Sequence, residues 1–126
     1  MGAIPPRILL AEDEGLAAMA IEEELLAEGY DVVVAPDGLA ALEAAARQPP
    51  DLLMTDLRMP RLDGMGLIRT LRAVRPDLPV LVMTGYATPG VAAFSGVGAG
   101  QLRLFSKPLD MDAVLAELRR LLPRSQ

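Results

Sequence analysis

Polar residues that suit phosphoryl chemistry stand within two positions of the ends of short apolar runs. Glu12 and Asp13 follow Ile8-Leu9-Leu10-Ala11, and Asp56 follows Leu52-Leu53-Met54. Thr84 follows Val80-Leu81-Val82-Met83, and Lys107 follows the stretch from Leu102 to Phe105. Two carboxylates ~4 Å apart repel by about 4 kcal/mol at an effective dielectric of ~20, so a proton or a cation must join them. Carboxylate oxygens without histidine or cysteine favour a hard cation, Mg2+, Mn2+ or Ca2+. A lysine point charge and a threonine hydroxyl can hold phosphoryl oxygens. Asp56 is then the natural nucleophile, since a carboxylate can form an acyl phosphate. Each residue alone has a plainer reading. A strand-end Asp is commonly a cap or turn residue, and Glu12-Asp13 can favour a helix N-terminus. Their shared position at strand ends makes coincidence a poor account.

The rest of the composition narrows the chemistry. There is no histidine and no cysteine, which removes a His base, a His or thiolate metal ligand, and a disulfide framework. Lys107 is the single lysine among twelve basic residues. The net charge of −5, with no basic stripe carrying aromatics, speaks against direct nucleic-acid binding. No apolar run approaches a membrane span, and Met1 to Arg7 is too short for a signal peptide. We therefore expect a cytoplasmic protein with no membrane partner. Apolar residues make up 52% of the 126, enough for one packed core.

The elements that must position these groups alternate. Apolar runs at 8–11, 32–35, 52–54, 80–83 and 102–105 predict five strands, the last weakened by Arg103. Helices are expected from about Gly15 to Glu28, stopped by Gly29, and after Asp37, with Leu39, Leu42 and Ala46 facing inward. The next helix would bury Leu67, Ile68, Leu71 and Val74 and leave Arg69, Arg72 and Arg75 to solvent. The last begins near Asp110 and turns Val114, Leu115, Leu118 and Leu121 inward. Continuous apolar strands alternating with helices predict an α/β fold, a parallel sheet covered on both faces. A doubly wound five-stranded sheet commonly takes the order 2-1-3-4-5, although the pattern admits other orders. In that order Asp13 and Asp56 become neighbours at the crevice where strand order reverses.

Residues 87–102 differ. They begin with Ala87, carry no charge, and hold Gly90, Gly96, Gly98 and Gly100. Each glycine weakens a helix by about 1 kcal/mol relative to alanine. A short or mobile fourth helix is expected here, either without a role or as a movable apolar contact face.

The chain resembles the response-regulator receiver domains of bacterial two-component signalling, the CheY-like superfamily. The resemblance runs from Arg7 to about Leu122. It rests on Leu9-Leu10-Ala11-Glu12-Asp13-Glu14, Asp51 to Pro60, Asp63-Gly64, Met83-Thr84-Gly85-Tyr86 and Ser106-Lys107-Pro108. It implies a flavodoxin-like (βα)5 fold and a single receiver domain over residues 1–126. It also implies that Asp56 is the phosphoacceptor, and that Asp13, Asp56 and the Arg58 carbonyl bind Mg2+, or Mn2+ in its place. Glu12 would assist through metal-bound water. Thr84 would move toward the phosphoryl group and Lys107 would pair with it, followed by a commonly cis Pro108. The donor would be a phosphohistidine on a sensor histidine kinase or histidine phosphotransfer protein, and an unknown downstream protein would receive the output. Arg58 and Tyr86 flank the site at positions that influence phosphoryl lifetime, and Arg58 can equally pair with Glu12 or Glu14.

One position departs from the family. Leu104 stands where receivers usually carry a switch aromatic, and Phe105 is one residue later, on the other face of a strand. With the glycine-rich stretch, this leads us to expect that order and disorder of residues 87–101 replaces the aromatic switch. Other classes fit less well. A Mg2+-dependent aspartyl-phosphate phosphatase needs an Asp two residues after its nucleophile, where Arg58 stands. A flavodoxin-like nucleotide module wants a Gly, Ser or Thr loop where Glu12-Asp13-Glu14 would repel phosphate. A phosphorylation-independent adaptor remains open. No output domain is expected within the 126 residues, so a stand-alone regulator, part of a hybrid kinase and part of a longer regulator all fit.

Overall fold

The computed structural model describes residues 4–85 and 100–122. The elements in chain order are β1 (Arg7–Ala11), α1 (Gly15–Ala27), β2 (Asp31–Ala35), α2 (Gly38–Arg47) and β3 (Leu52–Asp56). They continue with α3 (Gly64–Val74), β4 (Val80–Thr84), β5 (Leu102–Ser106) and α4 (Met111–Leu121). The strands form one sheet in the order β2-β1-β3-β4-β5, every pair parallel. The doubly wound order expected from the sequence is the one observed. The expected fourth helix, between β4 and β5, lies outside the described residues together with Tyr86.

Two apolar layers sandwich the sheet. On one face Ile8, Leu10, Met54, Leu81 and Met83 meet Ile21 and Leu25 of α1 and Val114, Leu115 and Leu118 of α4. On the other, Leu9, Leu53 and Val82 meet Ala41 and Ala45 of α2 and Leu67 and Ile68 of α3. The period of two along a strand divides β5 in the same way. Leu104 packs against the α2/α3 layer and Phe105 against the α1/α4 layer.

Local chemistry stops α1 at Gly29 and starts α2 and α4 at Asp37 and Asp110, as the sequence predicts. Gly29 takes φ 91°, and the amides of Gly29 and Tyr30 donate to Leu26 and Leu25 carbonyls at 2.9 and 3.2 Å, a Schellman ending. Asp37, Asp63 and Asp110 each cap a helix by accepting an amide hydrogen bond from Ala40, Gly66 and Ala113.

Two expected helix faces need correction. In α2 the buried residues are Gly38, Ala41, Ala44 and Ala45, while Leu39 is exposed and Ala46 faces solvent. Small side chains let this helix approach its neighbours closely. A Cβ on Gly38 would lie 2.1 Å from the Leu62 carbonyl oxygen. In α3, Arg72 is buried and Val74 is 87% exposed. The Arg72 guanidinium donates to the Leu78 carbonyl from Nε (3.0 Å) and from an Nη (2.8 Å), and to the Gln101 carbonyl at 2.7 Å. It supplies donors to the Leu78 carbonyl before β4 and adds a second donor to the Gln101 carbonyl before β5, which also accepts the Val80 amide at 2.9 Å.

Candidate functional site

Parallel pairing sets the C-terminal ends of the strands side by side. Ala11 lies across from Thr55 in the β1–β3 register, which brings the residues after β1 next to Asp56 at the end of β3. Thr84 pairs with Ser106 across β4 and β5, and the Thr84 carbonyl accepts the Lys107 amide at 2.8 Å. Lys107 therefore starts from the strand-end crevice. The Lys107–Pro108 peptide is cis.

The carboxylates converge there. Glu12, Asp13 and Asp56 each place an oxygen within 4.8 Å of the others. Glu12 and Asp56 are buried, and Asp13 is exposed. The Lys107 ammonium donates to Glu12 Oε1 at 2.7 Å and to Asp56 Oδ2 at 2.6 Å. Asp56 Oδ1 accepts the Arg58 amide at 3.3 Å, and Glu12 Oε2 accepts the Glu14 amide at 3.1 Å. Both Glu12 oxygens are thus taken within the protein. Thr84 is buried beside them at the end of β4.

Burial and charge oppose each other in this cluster. Burial pushes the Glu12 carboxyl above its ordinary range, against the lowering effect of its hydrogen bond from Lys107. Burial disfavours the Lys107 ammonium too, but its bonds to Asp56 and Glu12 prevail and hold its pKa above the usual value. The donor set is all oxygen, carries more carboxylates than ammonium groups, and has one member open to solvent. That combination fits a small hard cation that keeps part of its water shell.

The residues expected to form the site divide by location. Glu12, Asp13, Asp56 and Lys107 are brought together, with Thr84 and the backbone of Arg58 adjoining. Leu104 and Phe105 lie within β5 on opposite faces of the sheet, two strands from Asp56. Two contributors stand in the motifs that carry the resemblance but were given no role from the sequence. Thr55 Oγ1 donates to the Asp56 carbonyl at 2.8 Å. A Cβ on Gly64 would lie 2.2 Å from that same carbonyl oxygen, so only glycine lets α3 start against β3. The glycine after Asp63 in the sequence was the available sign of this approach. A groove of about 520 Å³ opens beside the site between α1 and the segment after β5. Ala17, Ala20, Glu23, Glu24, Pro108 and Leu109 are among the residues that line it.

Comparison with known proteins gives a consistent result. Residues 8–119 match the model of the response regulator receiver domain family. The response regulator MprA of Mycobacterium leprae is 38% identical over 120 residues, covering 95% of this chain and 52% of that protein. The chain thus spans about half the length of the curated relatives it matches. The receiver domain of sensor histidine kinase PA1611 from Pseudomonas aeruginosa is 30% identical with a TM-score of 0.79, over 94% of this chain and 98% of that one. That structure has a magnesium ion coordinated in its active-site cleft. The chemotaxis protein CheY4 of Vibrio cholerae is 25% identical with a TM-score of 0.84, over 94% of this chain and all of that one (100%).

Proposed function

This chain belongs to the response regulator receiver domain family of two-component signalling, and from that premise we propose that Asp56 accepts a phosphoryl group in a Mg2+-dependent reaction. One observation carries the reading. The buried Asp56 carboxylate ends β3 with Glu12 and Asp13 oxygens within 4.8 Å and the Lys107 ammonium 2.6 Å away.

In the transfer, one Asp56 oxygen attacks the phosphorus of a phosphohistidine. The P–O bond forms as the P–N bond breaks, and the imidazole leaves with its electron pair on the partner protein. Asp13, Asp56 and the Arg58 carbonyl would hold Mg2+, with Glu12 acting through bound water. Mg2+ when bound neutralises charge on the phosphoryl oxygens. Lys107, already beside Asp56, supplies a cation to the oxygens that arrive, and the Thr84 hydroxyl can donate to another. The domain assists its own phosphorylation and hydrolysis in this scheme rather than turning over a separate substrate.

The donor is a sensor histidine kinase or a histidine phosphotransfer protein, and the groove beside α1 gives it an approach next to Asp56. A downstream protein reads the result. Moving a two-state equilibrium from 1:99 to 99:1 needs about 5.5 kcal/mol. One phosphoryl group held by a few charge-assisted bonds supplies part of that, so a partial population shift is expected. Among the described residues no helix is long and apolar enough to cross a membrane, and we assign the reaction to the cytoplasm. The test is intact mass after incubation with acetyl phosphate, with and without Mg2+. A Mg2+-dependent gain of one phosphoryl group that Asp56→Asn loses supports the reading. No gain under any condition would favour a phosphorylation-independent adaptor.

A further inference from the structure

The loop from Leu57 to Asp63 joins β3 to α3 and carries Arg58, the residue whose carbonyl is assigned to the metal. Its backbone is strained at one place. Arg61 has φ 68°, the single positive φ of a non-glycine residue among those described. The Leu62 amide donates to the Pro60 carbonyl at 2.8 Å across it. An i to i+2 hydrogen bond around a positive φ marks a γ-turn of the rare, strained kind. Such conformations persist only where the surroundings hold them.

The surroundings here come from α2. An Arg61 Nη donates to both oxygens of Asp37, at 2.8 and 2.9 Å. Asp37 is the N-cap of α2 and at the same time accepts the Ala40 amide on Oδ1 at 2.8 Å. The Asp37 side chain is only 13% exposed, against 56% for Arg61. One residue on, the missing Cβ of Gly38 leaves room for the Leu62 carbonyl and Cβ. The loop is therefore held from one side by an ion pair and seated from below by backbone contact. The Arg61 hydrogen bond, followed by the Ala40 amide, holds the Asp37 carboxyl below its ordinary range.

We propose that Arg61 is a positioning residue, whose ion pair with Asp37 fixes the strained β3–α3 loop and so keeps the Arg58 backbone, bonded through its amide to Asp56, in place beside the carboxylates for Mg2+. This rests on the Mg2+-dependent reading above. Arg61 touches neither the cation nor the phosphoryl group. It acts through the loop, from the far side of the turn. Outer partners of metal ligands typically change metal affinity by about 10-fold or more when removed. The pair is partly exposed, so the low end of that range is expected.

The experiment titrates Mg2+ into the unphosphorylated full chain and follows backbone amide shifts, with thermal melting recorded on the same samples. Arg61→Gly removes the ion pair but accepts positive φ without strain. Asp37→Asn removes the charge but keeps an oxygen to cap Ala40. Both are expected to weaken Mg2+ binding by about 10-fold while remaining folded, and Arg61→Lys to recover part of the loss. Acetyl phosphate labelling at saturating Mg2+ should then return close to the wild-type rate, since only the affinity has changed. If both variants bind Mg2+ like wild type and merely melt earlier, the pair is a structural tie and the inference is overturned. If wild type itself neither binds Mg2+ nor gains a phosphoryl group, the functional reading falls and this inference with it.

Discussion

At the N-terminal edge of the sheet, Arg7 donates from its amide to Asp51 at 2.7 Å and from Nε to Asp31 at 2.8 Å. Arg72 reaches the Leu78 and Gln101 carbonyls, and Arg75 reaches that of Pro50. At the C-terminal edge, three carboxylates bring oxygens within 4.8 Å, and Lys107 contacts two of them. Both edges gather acidic and basic residues around strand ends. At the first edge the cations are matched to anions or spent on backbone carbonyls. At the second, carboxylate charge exceeds ammonium charge, and one of the acids is open to solvent. An edge with matched partners closes the fold, whereas an edge with surplus charge has capacity left for a ligand. Charge balance, more than the presence of charge, separates the two.

The largest effect expected on either edge comes from Asp56→Asn. Phosphoryl gain should disappear completely in the mass measurement. Stability should stay within about 1 kcal/mol, because an amide of equal size replaces one of several crowded carboxylates. A large loss of stability would mean that this edge also serves as a structural clamp, and the contrast would fail.

Arg72→Ala is the opposite test. It takes the guanidinium donor from the Leu78 carbonyl and leaves the Gln101 carbonyl with the Val80 amide alone, and about 1–3 kcal/mol of stability should be lost in urea unfolding. The folded fraction should still accept a phosphoryl group on Asp56 at an unchanged rate. Burial already disfavours the Arg72 guanidinium, lowering its pKa from the usual arginine value. The carbonyl bonds are what keep it inside.

The same contrast explains what could be read from the sequence. The carboxylate edge was legible because its residues interrupt apolar runs at a constant place, and parallel strands convert that place into proximity. The strands were legible because Ile8-Leu9-Leu10 and Leu81-Val82-Met83 are apolar on both faces, as a sheet buried on both sides requires. Arg72 was not, since Arg69, Arg72 and Arg75 look like one solvent-facing stripe. Spacing along a helix carries no information about which distant carbonyls need a donor. The inner face of α2 was missed for a different reason. Hydrophobicity favours Leu39 and Leu42, of which Leu42 does pack inward, but close approach selects Gly38, Ala41 and Ala45 for the buried face and leaves Leu39 exposed. The Arg61–Asp37 pair joins two loops across 24 residues, and no local pattern points to it.

A smaller effect concerns pH. Burial, the largest influence, raises the Glu12 carboxyl despite its Lys107 bond. A carboxyl whose folded value is raised contributes stability that is fully present below the ordinary glutamate range. That contribution is lost as pH rises through the folded value. In Mg2+-free buffer the protein should therefore become less favoured on this account as pH rises from the ordinary glutamate range through the raised folded value. Glu12→Gln should flatten that part of the urea-midpoint profile. Arg7→Ala, at the other edge, should leave it in place. An identical profile for wild type and Glu12→Gln would show that the carboxylate edge carries no such electrostatic cost.

The smallest effect expected is the coupling between Arg7 and Asp31. Their side chains are 29% and 43% exposed, so water screens the pair and ordering the two side chains offsets part of its gain. A double-mutant cycle should return a coupling of about 0.2–1 kcal/mol. It should fade as salt shortens the Debye length toward about 3 Å near 1 M. Lys107 and Glu12 form a pair of similar length, 2.7 Å against 2.8 Å. The Glu12 side chain there has 0% exposure. Its coupling in the metal-free protein should be larger and should persist in salt. Equal couplings with equal salt dependence would mean that burial does not set the two edges apart. The difference would then have to come from the surplus of carboxylates alone.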